Sequence, residues 1–237
     1  VGSEMCIRDR RSDVASRGSF DSGEPLINDI QRICRWTESN NLHSVPTDCP
    51  QRDERLGWLN DLTVRAEEAM FNFEMDSFYR KFVTDMLDAQ GKKTGAITDT
   101  VPYVRYGSQP ADPVCSSFLL LPWMLYQQYG DKQILTRRYS GMKRYAQFMM
   151  RRCGRWGGPY AKPVHIPAKD KKYLVNRGQS YGEWAEPQDI YTMRFMDFAG
   201  PHPEVSTAYT AYVMALMAQI AEILGDTEDI SRFAEYR

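Results

Sequence analysis

The sequence predicts an all-α fold. Apolar residues recur at helical spacing in one segment after another, Pro and Gly punctuate those segments where helices start and stop, and no strand-like alternation competes. With 237 residues, 42% of them hydrophobic, the chain has room for one sizeable core. Helices of hairpin length that each carry one apolar stripe close naturally as a toroid, because each hairpin buries its stripe on the next.

The segments follow in order. Residues 11–23 are polar and Gly/Ser-rich and read as a linker or the remnant of a domain junction. Glu24-Pro25 opens a helix whose stripe is Leu26, Ile30, Ile33 and Trp36, fading by Asn40-Asn41. A helix beginning near Arg52 or Gly57 and running to about residue 72 is predicted from Leu56, Leu59, Leu62 and Ala66. Another runs from Met75 to Gln90, with Phe78, Tyr79, Phe82, Val83, Met86 and Leu87 on a broad face and Gly91 as its stop. Residues 91–112 form a long connection whose Tyr103 and Tyr106 read equally as a pocket rim or as packing.

Pro113 starts a helix that is apolar on nearly every side, with Pro122 as a kink or its true start. Gly130-Asp131 ends it and caps the next, where Ile134, Leu135, Tyr139, Met142, Tyr145 and Met149 are the inner face. Arg137, Arg138, Lys143, Arg144, Arg151 and Arg152 read as its solvated outer face. Residues 153–203 show no firm period. A helix follows from Ser206 or Thr207 to Leu224, stopped by Gly225, and a seventh begins at Ile230.

Net charge is −1, so the composition points to neither nucleic acid nor an anionic membrane surface. No apolar run approaches the roughly 20 residues that span a bilayer. Five scattered cysteines read as reduced or buried thiols. The three histidines lie far apart, so neither a bound metal nor another cofactor is expected. Val1 to Arg10 fit nothing that follows and read as a non-biological, adapter-like tail. The C-terminal pattern stops without a cap, and the expectation is a fragment cut at both ends. Such a partial toroid would expose an apolar flank and associate or dissolve poorly.

The chemistry concentrates at Asp48-Cys49-Pro50-Gln51-Arg52-Asp53-Glu54-Arg55-Leu56-Gly57-Trp58, with Asp61 after it. Pro50 keeps Asp48 in an extended or turn segment, and the charged run is expected at the start of a helix, where unpaired N–H groups favour ionised carboxylates. A general acid needs the opposite, a proton held by burial or by a second carboxylate, and Asp48, Asp53, Glu54 and Asp61 supply that crowding. Trp58 offers an apolar or stacking wall. The bland alternative is a solvated cap with surface ion pairs, which has no need of the Pro, Gly and Trp. Asp53 and Glu54 are rival acids, since on a helix they diverge by ~100° and only one faces inward.

That string resembles the signature of bacterial α-L-rhamnosidases of glycoside hydrolase family 78. Weaker echoes follow at Phe71-Asn72, Phe78-Tyr79, Asp88-Ala89-Gln90, Asp112-Pro113, Pro122-Trp123, Tyr129-Gly130-Asp131, Gly182-Glu183-Trp184 and Thr207-Ala208-Tyr209, so the resemblance spans about residues 19–237. It implies an incomplete (α/α)6 toroid, about half of the barrel, over residues 24–237, whose parent protein removes terminal α-L-rhamnose from glycosides or polysaccharides with inversion. It implies Glu54 as general acid, with Asp48, Arg52, Trp58 and Asp61 lining the sugar pocket. Glu183 and Trp184 are further candidates for binding sugar, although related enzymes usually carry Asp at the position of Glu183. After Asp112-Pro113 they usually carry Trp-Gly, where this chain has Val114-Cys115-Ser116. The family's general base is a glutamate later in the barrel, so the expectation is that it lies outside this chain and that the chain alone is inactive. The alternatives are another (α/α)6 glycosidase of different sugar specificity and a non-catalytic carbohydrate-binding barrel. The oligomeric state and compartment stay open.

Overall fold

The structure, a computed structural model, describes residues 11–107, 114–155, 165–177 and 200–237. Among these it has seven α-helices: α1 (Pro25–Asn40), α2 (Leu59–Asn72), α3 (Asp76–Ala89), α4 (Ser117–Tyr129), α5 (Gln133–Arg152), α6 (Pro203–Leu224) and α7 (Thr227–Ala234). The strands named among the described residues are β1 (Leu42–His43) and β2 (Val45–Pro46), antiparallel and two residues each. They turn the chain from α1 towards the charged loop.

The helix ends follow local chemistry. Glu24 caps α1 by accepting from Leu26 N at 3.2 Å, with Pro25 in the first turn. Gly130 (φ 70°) and Gly225 (φ 81°) end α4 and α6 in the left-handed conformation that glycine adopts without a Cβ clash. Asp131 Oδ1 accepts from Gln133 N at 2.8 Å just ahead of α5, whose N-cap residue is Lys132 rather than Asp131. Two boundaries differ from the expectation. α4 continues through Pro122, which is therefore inside the helix and not its start. α6 begins at Pro203, so Ser206 is buried inside it and Thr207 Oγ1 instead accepts from Val175 N at 3.0 Å.

α4 is the hub of the packing. It touches α2, α3, α5 and α6, and Phe118, Leu119, Leu121 and Leu125 are buried to within 1% of full exclusion from solvent. Tyr79, Phe82, Val83 and Met86 of α3 and Met142, Tyr145 and Met149 of α5 complete this core. α6 is 22 residues long and, by length and composition alone, apolar enough to cross a membrane, which corrects the reading that no run comes close. Its apolarity has a packing use here, because Val213, Met214, Met217, Ile220 and Ala221 are buried.

The basic side of α5 is not merely solvated. Arg138 donates to Thr84 Oγ1 (2.7 Å), Arg144 to Gln90 Oε1 (2.6 Å) and Arg152 to the Arg177 carbonyl (2.9 Å), and Lys143 pairs with buried Asp229 at 2.5 Å. These cations tie α5 to its neighbours, while Arg137, Arg144 and Arg151 remain exposed as a solvated face requires.

α1 is the exception in the core. Its predicted stripe forms, yet Leu26, Ile30, Ile33 and Trp36 are each more than half exposed. The helix is held by polar contacts instead. Gln31 and Arg35 donate to Asn72 Oδ1 at 2.6 and 3.0 Å, and Glu38 pairs with Arg65 at 3.4 Å. Residues 11–23, read as a linker, lie against the domain, with Arg17 N donating to the Asn72 carbonyl (2.8 Å) and Glu74 N to that of Ala15 (2.9 Å).

Candidate active site

Residues 48–57 are an irregular loop, and α2 starts only at Leu59. Of the two expected helix starts, the one near Gly57 agrees with the structure and the one at Arg52 is corrected, along with the argument that Asp53 and Glu54 diverge around a helix. Pro50 and the positive φ of Arg55 (49°) belong to a chain that turns back on itself. Asp48 closes the turn. Its N–H donates to the Leu56 carbonyl at 2.9 Å, and its Oδ1 accepts from Leu56 N at 2.8 Å.

Gly57, Trp58 and Leu59 then lie antiparallel to 99–101. Val101 N donates to the Gly57 carbonyl (2.9 Å), Leu59 N to that of Asp99 (3.0 Å), and Trp58 bridges Thr100. A Cβ on Gly57 would stand 2.1 Å from the Val101 carbonyl oxygen, so only glycine lets the backbones meet. The glycine that looked like a helix-start residue is a close-approach residue.

The loop brings the predicted carboxylates together. Glu54 has a side chain 20% exposed, accepts from the Trp58 indole N–H at 2.7 Å and has the Arg52 guanidinium 3.8 Å away. Trp58 thus orients the carboxyl as well as walling it. Asp53 is exposed, and its backbone carbonyl accepts from Arg105. Arg52 is itself 68% exposed, at the rim of the site. Asp48 is more committed than the sequence implied, because Oδ2 accepts from the Cys49 thiol at 2.9 Å while Oδ1 caps Leu56. Each oxygen retains a second lone pair for a further hydrogen bond.

Asp61, in the first turn of α2, is half-buried, and its proton is held more tightly than is usual for an aspartate. Burial is the main cause. The backbone N–H it accepts from and the Arg65 charge oppose the shift, whereas Asp48 and Glu54 reinforce it, so all three carboxylates share one electrostatic neighbourhood. Desolvation plus like charge outweighs the favourable helix terminus here.

Arg65, Thr47 and Glu38 support this loop and were not among the residues singled out from sequence. The available signal was an arginine four residues after Asp61, one helical turn on, so that both fall on the same side of the helix. Glu38 is 3% exposed, and burial pushes its pKa up to about 7 despite Arg65 beside it. Cys115, in the segment where Trp-Gly was expected, is buried with its thiol 3.2 Å from Asp99 Oδ1, behind the strand that pairs with Trp58. Tyr103 and Tyr106 are about half exposed (48% and 54%), with the Arg105 guanidinium over the Tyr106 ring. Glu183, Trp184 and Asp112-Pro113 lie outside the described residues. Among the described residues no group of three or more metal-ligating side chains comes together. An open cleft of about 440 Å³ between α1 and residues 16–20 includes none of the predicted site residues.

Comparison with known proteins bears on the family and the fold. Residues 15–237 match the bacterial α-L-rhamnosidase six-hairpin glycosidase domain. An α-L-rhamnosidase of Streptomyces avermitilis is 30% identical over 206 residues, which is 87% of this chain and 17% of that protein. The solved α-L-rhamnosidase of Dictyoglumus thermophilum superimposes with a TM-score of 0.74 at 33% identity, over 95% of this chain and 23% of that one. The Streptomyces avermitilis α-L-rhamnosidase solved with L-rhamnose gives a TM-score of 0.75 at 27% identity, over 95% and 19% respectively. The chain therefore spans about a fifth of the length of the relatives it matches, and its fold is part of their six-hairpin toroid. A match running from residue 15 to residue 237, with the same helical architecture beneath it, means that the chain belongs to the bacterial α-L-rhamnosidase six-hairpin glycosidase domain family.

Proposed function

We propose that the protein containing this chain is an inverting α-L-rhamnosidase with Glu54 as its general acid. The observation that carries this is the sheltered Glu54 carboxyl, held by the Trp58 indole within the neighbourhood of Asp48 and Asp61. In an inverting hydrolase one carboxylic acid protonates the departing oxygen and a second carboxylate, roughly 6.5–9.5 Å away, activates water on the opposite face. Glu54 takes the first role. Asp48 and Asp61 accept from sugar hydroxyls, Arg52 steadies Glu54 or a hydroxyl at the rim, and Trp58 packs on the apolar sugar face while holding Glu54. Glu183 and Trp184 keep their proposed part in binding the sugar. The base is supplied from outside these 237 residues, so no rhamnose release is expected from this chain alone.

A complete hydrolase carrying this chain, given a panel of aryl glycosides, tests the reading. Release from the α-L-rhamnoside in preference to other sugars supports it. Preference for a different sugar would keep the fold and reject the substrate. Failure to cleave any glycoside while still binding L-rhamnose would favour a carbohydrate-binding barrel. Rhamnose release by the isolated chain would overturn the placement of the base.

A further inference from the structure

We propose that Arg65 is a positioning residue for the site, fixing Asp48 by holding the peptide that precedes it; this rests on the reading of the site as a rhamnoside pocket. Thr47 is 2% exposed, and each of its polar groups is taken. Its N–H donates to the Asn41 carbonyl at 2.8 Å, and its hydroxyl lies 3.1 and 3.2 Å from Asn41 O and Oδ1. Its own carbonyl accepts from an Arg65 Nη at 2.6 Å. The next residue is Asp48, the residue that closes the loop through Leu56. One guanidinium therefore sets the plane from which the loop hangs.

The second arm of Arg65 reaches Glu38 at 3.4 Å, with the Arg65 and Glu38 side chains 17% and 4% exposed. Two anchors on one planar fork fix its orientation, which a single ammonium cannot reproduce. α1 with its C-cap residue Asn41, and α2, thereby clamp the loop together, Glu38 and Asn41 from one side and Arg65 from the other. Arg65 also stands one helical turn beyond Asp61. The charged groups acting on Asp61 are Asp48 and Glu54 from the loop and Arg65 from its own helix, and of these Arg65 alone favours the ionised form.

The test uses the complete hydrolase with Arg65→Lys and Arg65→Met, an aryl α-L-rhamnoside as substrate and L-rhamnose as competitive inhibitor. In both variants KM and the inhibition constant should rise about tenfold, as for loss of a hydrogen bond to a charged group, with kcat changing less than about threefold. The acid limb of kcat/KM should move to higher pH in Arg65→Met, which strips the positive charge from beside Asp61, and stay in place in Arg65→Lys. A folded variant with a lowered Tm but the parent's KM, inhibition constant and pH profile would show Arg65 to be structural only and overturn the proposal. If Arg65→Met does not fold, Arg65→Lys decides through KM and the inhibition constant. Failure of the underlying reading shows separately, in a parent protein that neither cleaves the rhamnoside nor binds rhamnose, and it takes this proposal with it.

Discussion

The loop at 48–57 and helix α1 make an instructive pair. The loop has no repeating structure, yet both its ends are fastened. Thr47 is clamped at its base, Asp48 and Leu56 bond across it, and residues 57–59 pair with 99–101. α1 has the cleanest amphipathic pattern in the N-terminal half, yet its stripe of Leu26, Ile30, Ile33 and Trp36 faces outward. Regularity and fastening are separate properties. Apolar period marks the face a helix is built to bury. It does not say that the covering surface is among the residues at hand. A loop can be rigid when specific polar atoms are satisfied, and those partners leave no period to read.

The largest expected effect lies in the loop. Glu54→Gln in the complete hydrolase should lower kcat by about a hundredfold to ten-thousandfold while urea unfolding stays unchanged; retained turnover would reject Glu54 as the acid. Next in size is Gly57→Ala. The new methyl would meet the Val101 carbonyl and part the two backbones, costing about 3 kcal/mol in urea melts, and a neutral result would mean that the 57–59 pairing yields freely.

A third effect concerns the Glu38 side of the clamp. A carboxyl whose folded pKa is raised keeps its proton longer in the folded state than in the unfolded one. Its contribution to stability is then fully present below about pH 4.5 and is lost as the pH rises through about 7. The chain should be less stable at pH 8 than at pH 5 by up to about 3 kcal/mol, and Glu38→Gln should flatten that slope. An unchanged slope in the variant would assign the dependence to other groups. The smallest effect belongs to α1. Ile30→Glu with Ile33→Glu should alter unfolding free energy by less than about 0.5 kcal/mol, because neither side chain is buried. The same pair should abolish concentration-dependent association in sedimentation, if the outward stripe drives it.

How much could be read in advance varies with the kind of interaction. Phe82, Val83 and Met86, and equally Met142, Tyr145 and Met149, repeat at helical spacing, and both sets are buried. Helix ends at Gly130 and Gly225 were legible because a residue without Cβ is the ready solution for a left-handed stop. The charged string around Glu54 was legible as a candidate site through its resemblance to a family signature. Its conformation was not, because Leu56 belongs by spacing to the α2 stripe but by geometry to the closing turn of the loop. The roles of Thr47 and Arg65 were hidden for a similar reason. Their contacts run between backbone and side-chain atoms 18 residues apart, and no local pattern encodes such a pair.

By itself, the sequence determined the helical class, the order and approximate limits of the helices, and a charged stretch that serves as the candidate site. These follow from period, from Pro and Gly, and from a dense charged string, all of them local in the chain. Only the tertiary structure decided that the string is a pinned loop, that Trp58 bonds Glu54, that Gly57 admits a crossing backbone, and that burial tightens the hold of Asp61 on its proton. Each of those depends on how close distant segments come and how much water they exclude. Packing sets both of these, and spacing along the chain does not.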